Sequence, residues 1–431
     1  MNNPENLNNV VLIDGVRIPF LRSGTDYQDM MSYQLGASAI KSLVHKTAVK
    51  VRLIEHVIMG TVIHNINTPN VARESMLIAG LSPETPAHTV SQACISANVA
   101  IAQATDMIRL GNIEIAIAGG TDSVSDIPIM FRKKMRKKLF NARKIKTFGD
   151  TLKFLASLRF ADFKPEVPDI TEFTTGLSMG QDAELLAARM NISRKEQDEY
   201  AVRSHRLAYK AAESGILDME IAPIETLPDY KIVSKDNTYR GDSTIEKLAK
   251  LKPAFDKKNG TLTAANSSFL TDGAAAVLLM SEKKAHKLGF KPKARIKTYT
   301  FIGRNPKTEL LLGPAYAIPK VLKQAGLSLK DIGVFEIHEA FAAQILAVLK
   351  ALNSDKFGKE NLGLDGKFGE IPIDKLNVLG GSLALGHPFG ATGARLMTTA
   401  ANRLINENQQ FALIAACAAG GHGHAMILER V

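Results

Sequence analysis

Ser91-Gln92-Ala93-Cys94-Ile95-Ser96-Ala97-Asn98 puts one of the chain's two cysteines at a seam between a strand and a helix. His88-Thr89-Val90 reads as the end of a short strand, and residues 99–110 carry apolar side chains at helical spacing. Cys94 therefore stands at a helix start, where free backbone N–H groups and the positive end of the helix dipole favour a thiolate and lower the thiol pKa. The small neighbours Ala93, Ser96 and Ala97 leave room for an approaching group. Taken alone, a free cysteine is more often a small buried apolar residue, so the pattern around it has to decide.

Outward from this seam the chain alternates. Strands are expected at 10–13, 56–63 and 113–118, with helices at 33–46 and 71–79 between them. After an interruption come helices at 179–190 and 194–214, the second opened by a Ser193/Glu196 capping box. Strands at 261–265, 275–280, 294–300, 334–337, 411–417 and 424–429 follow, with helices at 316–325, 341–352 and 393–405. Such alternation indicates a layered α/β fold. Residues 96–120 run as small residues, an alanine-rich helix, an apolar strand and Ala118-Gly119-Gly120; residues 390–421 repeat that order and end Ala419-Gly420-Gly421. The repeat predicts two similarly folded halves about a pseudo-twofold axis. Residues 1–129 with 261–296 would form the first half, 297–431 the second, and 130–260 a large insertion. Equivalent helix N-termini would then face one another, one bearing Cys94, the other preceded by Gly386-His387-Pro388.

The chain is 431 residues long, 45% hydrophobic and 23% charged, ordinary values for a globular protein. No apolar run reaches the roughly 18 residues a membrane span needs. The polar first residues lack a signal-peptide core and a transit-peptide pattern, and two cysteines suit a reducing compartment. The expectation is a cytoplasmic protein, or a processed one of the mitochondrial matrix or inner membrane. Net charge is +11, and residues 131–164 hold twelve Lys or Arg against two acids, a net of +10. There Arg132, Lys133, Lys134, Arg136, Lys137 and Lys138 interleave with Phe131, Met135, Leu139 and Phe140, with Leu152, Leu155 and Leu158 beyond. Basic residues beside bulky apolar ones suit a peripheral membrane contact; a partner-docking surface, a landing site for the phosphates of a substrate and a solvated loop are the other readings.

Four polar groups fall at predicted strand ends, where α/β folds bind ligands: Cys94, His338 in His338-Glu339-Ala340-Phe341, His387, and Cys417 in Ala416-Cys417-Ala418-Ala419-Gly420-Gly421. The glycine-dense 379–393 stretch lets backbone approach a ligand closely. His387 could take the Cys94 proton in a nucleophile pair, and a second thiol suits acid/base work on a thiol leaving group. A zinc site from Cys94, Cys417, His338 and His387 is conceivable, but no pair has the close spacing of structural zinc ligands. No metal, flavin or nicotinamide is expected.

These blocks, in this order and with Asn266-Ser267-Ser268 and Thr271-Asp272-Gly273, resemble the thiolases along essentially the whole chain. His338, where most thiolases have Asn, and the basic insertion narrow the resemblance to the thiolase subunits of fatty-acid β-oxidation trifunctional complexes and their bacterial counterparts. The resemblance implies an α/β thiolase fold of two similar βαβαβ-type halves in a layered α/β/α/β/α arrangement, and a 3-ketoacyl-CoA thiolase in which Cys94 is acylated, His387 activates it, and Cys417 donates and accepts protons. It implies one oxyanion hole from His387 and His338 with a water, another from the N–H groups of Cys94 and Ala419, and Ser268 against the pantetheine arm of CoA. Ala418 and Ala419 stand at glycine-type positions of the family and Phe269 at a usual small one, and these departures would reshape the acyl or pantetheine channel. It further implies a homodimer core and a hydratase/dehydrogenase partner subunit. Competing readings are a biosynthetic acetoacetyl-CoA thiolase with the same residues, a decarboxylating ketoacyl synthase, against which Cys417 argues, and a non-catalytic membrane or nucleic-acid binder, which leaves both cysteines unexplained.

Overall fold

The computed structural model describes residues 7–166 and 171–431, so the polar first six residues lie outside the described ones. The chain divides into two compact units, 1–126 with 171–431 and 127–170. The expected insertion ran from 130 to 260; residues 171–260 lie with the larger unit.

In the larger unit the strands are β1 (Val10–Arg17), β2 (His56–Gly60), β3 (Ala87–Val90), β4 (Ile115–Asp122), β5 (Thr271–Ser281), β6 (Ala294–Gly303), β7 (Val334–Ile337), β8 (Phe411–Ala418) and β9 (His422–Arg430). The first helices are α1 (Ser32–Thr47), α2 (Val71–Ile78) and α3 (Ser96–Arg109). The smaller unit holds α4 (Lys133–Ala142) and α5 (Phe148–Ser157). Then come α6 (Met179–Arg189), α7 (Arg194–Glu213), α8 (Gly313–Ala325), α9 (Ala342–Leu352) and α10 (Thr392–Asn406).

The strands form one mixed sheet in the order β7-β8-β9-β6-β1-β5-β4-β2-β3, with the two-residue strand Leu21–Arg22 pairing the start of β5. Its hydrogen bonds carry the duplication. In the first half β2 runs parallel to β3 and β4, and β5 runs antiparallel to β4 and β1. In the second, β7 is parallel to β8, and β9 is antiparallel to β8 and β6. The halves meet where β1 and β6 pair antiparallel, Val11 opposite Arg295. A single parallel bridge from Phe335 to Leu376 stands where the second half would carry its copy of β3.

Three buried clusters give the layers. Val277, Leu279, Ile414 and Met426 pack with Ala100, Ile101 and Ala104 of α3 and with Leu396, Met397 and Ala400 of α10, so both helices are enclosed between the half-sheets. The outer face of the first half packs on α1 and α2, and that of the second on α8 and α9. Coverage on both faces explains why β5 is buried at every position and reads as a continuous apolar run. The result is the expected α/β/α/β/α arrangement.

The α3 and α10 N-terminal turns touch: a Cβ on Gly393 would lie 2.8 Å from the Asn98 nitrogen. Two expected elements differ. Residues 261–265 form no strand, because side chains take their amides: Glu184 accepts from Thr261 and Leu262 at 2.8 and 2.9 Å, and Asn266 Oδ1 accepts from Thr263 at 2.7 Å. The strand expected to reach Ile63 ends at Gly60, since Val62 and Ile63 donate to the Asp122 carboxylate.

In the smaller unit, Met130–Phe131 pairs antiparallel with Pro165–Glu166. Met135 is buried and Lys138 bonds Asp162 at 2.6 Å, while Phe140, Phe148, Leu152, Leu155 and Phe160 point to solvent. Leu158 follows α5 in extended backbone and leaves the helical stripe. No described helix is long and apolar enough to cross a membrane.

Gly120 is where the halves meet most closely, its Cβ direction ending 1.8 Å from the Gly390 carbonyl oxygen, with backbone on both sides. Gly120→Ala should cost about 1–3 kcal/mol, as overpacking does, seen as a lower thermal midpoint. Gly303→Ala, with nothing within 4 Å, should leave the midpoint in place.

Candidate active site

Cys94 is presented by a knotted turn. Ala93 adopts φ +47°, a left-handed conformation unusual for alanine. Ser96 Oγ accepts from the Gln92 N–H at 2.8 Å and donates to the Ala93 carbonyl at 2.7 Å, so the turn closes directly onto the first residue of α3.

His387 comes from the other half, on the loop entering α10, after Gly386 at φ +90°. Its Nδ1 lies 2.6 Å from Thr392 Oγ1, and that hydroxyl donates its own proton to the Pro388 carbonyl at 3.1 Å. Thr392 can then only accept, so His387 Nδ1 carries the proton and Nε2 presents a lone pair. His338 stands just past β7, its N–H on the Ala415 carbonyl at 2.8 Å. Its Nδ1 lies 2.8 Å from Ser382 Oγ, which also accepts from Arg395 Nη2 at 2.9 Å. The serine proton has His338 Nδ1 as its acceptor, which leaves the His338 proton on Nε2. The two histidines thus hold opposite tautomers, one a base and one a donor.

Their rings stack at 4.1 Å between centroids, both Nε2 atoms are buried without a protein partner, and Cys94, His338 and His387 offer ligand atoms all within 4.8 Å of one another. The backbone N–H groups of Ala419 and Cys94 face the Cys94 sulfur. Cys417, near the end of β8, is buried outside the 4.8 Å set, close enough to Cys94 that a thiolate there would raise its pKa.

Electrostatically the site is neutral. Burial pushes the Cys94 thiol up to about 11, against the pull of the two N–H groups. The expected lowering at the helix start is therefore corrected: loss of hydration outweighs the helix end. Burial raises Cys417 further, lowers His387 to about 3 and holds His338 well below its usual range.

The thiolase N-terminal domain family model matches residues 10–283, and the thiolase C-terminal domain model matches residues 290–430. The chain belongs to the thiolase family. It is 51% identical over 98% of its length to the mitochondrial trifunctional enzyme subunit beta of Bos taurus, covering 89% of that protein. It is 44% identical to a 3-ketoacyl-CoA thiolase of Pectobacterium atrosepticum, over 97% of this chain and 96% of the relative. Human mitochondrial 3-ketoacyl-CoA thiolase superposes with a TM-score of 0.84 at 33% identity, over 99% of this chain and 100% of that one.

In this thiolase Ser268 lies beside the His338 block, its N–H on the Ala340 carbonyl at 3.0 Å. Next to it a cavity of about 350 Å³ is lined by Arg22, His205, Arg240, Lys247 and Phe269 among others, with the Arg22 guanidinium 4.9 Å over the Phe269 ring. Sequence reasoning missed this basic pocket, since its residues are scattered from 22 to 269 in no local pattern. It also missed Thr392, Ser382 and Arg395. Thr392 alone had a signal, sitting five residues after His387 where the chain enters the helix.

With its pKa near 11, Cys94 holds only about one part in ten thousand as thiolate at pH 7. Iodoacetamide should therefore modify it at a rate rising about tenfold per pH unit from 7 to 10. A plateau below pH 7 would reveal a thiolate–imidazolium pair instead.

Proposed function

We propose that this thiolase is a 3-ketoacyl-CoA thiolase of fatty-acid β-oxidation, cleaving 3-ketoacyl-CoA with CoA into acetyl-CoA and a shortened acyl-CoA. The observation that carries the reading is the convergence of Cys94, His387 and His338, with ligand atoms within 4.8 Å of one another, on a sulfur faced by the Ala419 and Cys94 N–H groups. As Cys94 attacks the 3-keto carbon, its proton passes to His387 Nε2. The oxyanion forms next to the sulfur, where the Ala419 and Cys94 N–H groups point. The bond between C2 and C3 then breaks; the electron pair goes to the acetyl-CoA enolate, whose oxygen meets the protonated His387 and His338, directly or through a water. Cys417 protonates that carbon and acetyl-CoA leaves.

In the second half Cys417 takes the proton of the incoming CoA thiol, and the CoA sulfur attacks the acyl-Cys94 carbonyl. His387 returns its proton to Cys94. CoA enters as a substrate, its pantetheine arm along Ser268 and its phosphates toward Arg22 and Arg240 of the pocket, where Lys247 is paired with Asp242 at 2.6 Å. The steps run on side chains and backbone N–H groups alone. A biosynthetic acetoacetyl-CoA thiolase would use the same residues; rates on ketoacyl chains from short to long separate the two.

For assembly we infer a homodimer core within a hetero-oligomer carrying the hydratase and dehydrogenase activities. The β3 edge, four half-buried residues without Lys, Arg, Asp or Glu, suits cover by a second copy. The relatives named as trifunctional enzyme beta subunits support the larger partner. The compartment is that of β-oxidation, the bacterial cytoplasm or the mitochondrial matrix. We read residues 131–164 as attaching the enzyme peripherally to an anionic membrane: α4 spaces five basic residues along ten positions, and Phe140, Phe148, Leu152 and Leu155 stand exposed.

Peptide mapping after quenching with a 3-ketoacyl-CoA should find the acyl group on Cys94, and Cys94→Ala should abolish turnover; an acyl group on Cys417 would reverse the two roles. Cys417→Ala should still acylate but lose roughly a hundredfold or more in turnover, the size of a missing general acid/base. Thr392→Val, which frees the His387 tautomer, should slow acylation by about tenfold or more with little change in KM, while Thr392→Ser keeps the rate.

Substituting Gln at Lys133, Lys134, Lys137 and Lys138 should release the protein from anionic vesicles in co-sedimentation. If vesicle binding persists and the KM for CoA rises instead, the segment serves the substrate.

A further inference from the structure

Two imidazoles and a thiol converging within 4.8 Å are a donor set as well as a catalytic one. Both His338 and His387 keep a buried Nε2 without a hydrogen-bond partner, and each ring brings a nitrogen within 4.8 Å of the Cys94 sulfur. Each has its other ring nitrogen tied to a hydroxyl, His338 to Ser382 at 2.8 Å and His387 to Thr392 at 2.6 Å. Metal-binding imidazoles are oriented in this way, by a hydrogen bond on the nitrogen that does not ligate. The two rings come from the second half and the sulfur from the first, so the site exists only in the folded chain.

We propose that Cys94, His338 and His387 form a binding site for one thiophilic divalent cation, Zn2+ or Cd2+, and that its occupation silences the nucleophile. A tetrahedral ion bonded at about 2.0–2.3 Å needs ligand separations of about 3.3–3.6 Å. From separations within 4.8 Å, the trio closes by up to about 1.5 Å on binding. On binding, the Cys94 thiol loses its proton to solvent and the sulfur bonds the metal as thiolate. His387 ligates through the lone pair it already presents. His338 moves its proton from Nε2 to Nδ1, and the Ser382 hydroxyl turns to accept it. The metal has no part in turnover: it sits on the atom that must attack, so it inhibits. Cys417 lies outside the trio and contributes nothing, although its place at a strand end had put it in the conceivable set.

The test is titration of the full chain with Cd2+ and Zn2+ at buffered free concentrations, read by equilibrium dialysis and by the sulfur-to-cadmium charge-transfer absorption. One ion per chain, released by chelator, is expected. Cys94→Ala and His338→Asn should each weaken binding at least tenfold, and Cys417→Ala should change it less than twofold; Cys94→Ser and His338→Gln replace either variant that fails to fold. Uptake unchanged by both trio variants, uptake lost only with Cys417→Ala, or none at about 1 mM free metal overturns the site. A separate arm rests on the proposed function: incubation with 3-ketoacyl-CoA alone should leave Cys94 acylated and block the metal. If dialysis places the ion on the trio but the acyl substrate gives no protection, the acyl-cysteine reading fails and the metal site stands.

Discussion

The Asp122 carboxylate joins what the two halves must bring together. It ends β4 fully buried, and its partners are the Thr61 hydroxyl at 2.8 Å, the Val62 and Ile63 amides at 2.9 and 2.8 Å, and the Gly390 amide at 2.5 Å. The first three close the end of β2, and the fourth reaches across to the loop that carries His387. Burial raises its pKa and the donated N–H groups pull it back. Removing the carboxylate would leave those amides buried and unpaired, at about 1–3 kcal/mol each. The meeting of Cys94 and His387 therefore depends on an anion that takes no part in the chemistry. Its place in line is held by Gly119 and Gly120, because any side chain at Gly120 would collide with Gly390.

The duplicated order was legible because it is written in hydrophobic pattern. Residues 96–120 and 390–421 do become a helix followed by a strand, in matching places of the sheet. What the repeat could not show is that its two Gly-Gly pairs do different work. In the second half Gly420 and Gly421 take φ +82° and +72° and make the tight hairpin from β8 to β9. In the first half Gly119 and Gly120 remain within β4, paired to Ala276 and Ala275, and the equivalent connection is the whole of residues 123–270. Identical letters thus serve a turn in one copy and a close backbone approach in the other. Only the partner across the gap, here Gly390, distinguishes them.

Cys94, His338, His387 and Cys417 could be named from sequence because each sits at a strand end in a motif with its own local pattern. The residues that set their states could not. Ser382 and Arg395 act on His338 from 44 and 57 positions away along the chain, and read alone they are an ordinary helix-start serine and a helical arginine. The thiol pKa was misjudged for a related reason. A helix start is visible in sequence, whereas the loss of water around the sulfur is a property of the assembled layers, and the second effect is larger.

That imbalance has a mechanistic reason. A preformed thiolate–imidazolium pair would place two charges in the resting site, out of water, before any substrate is there to use them. With Cys94 a thiol and His387 neutral, the site holds no charge until attack begins. The proton then arrives on His387 Nε2 in the same step that creates the oxyanion at the Ala419 and Cys94 N–H groups, and the imidazolium stands beside the His338 Nε2–H when the enolate forms. Stabilisation by donors fixed in advance in a low-dielectric site is stronger than water could supply, and it acts on the transition state more than on the resting enzyme. The buried Arg395, held near Glu336 at 3.5 Å and against Ser382 at 2.9 Å, completes the scheme. Its charge lowers both histidines, keeping them neutral between turnovers. The hydroxyl it donates to keeps the His338 proton on the nitrogen that faces the substrate.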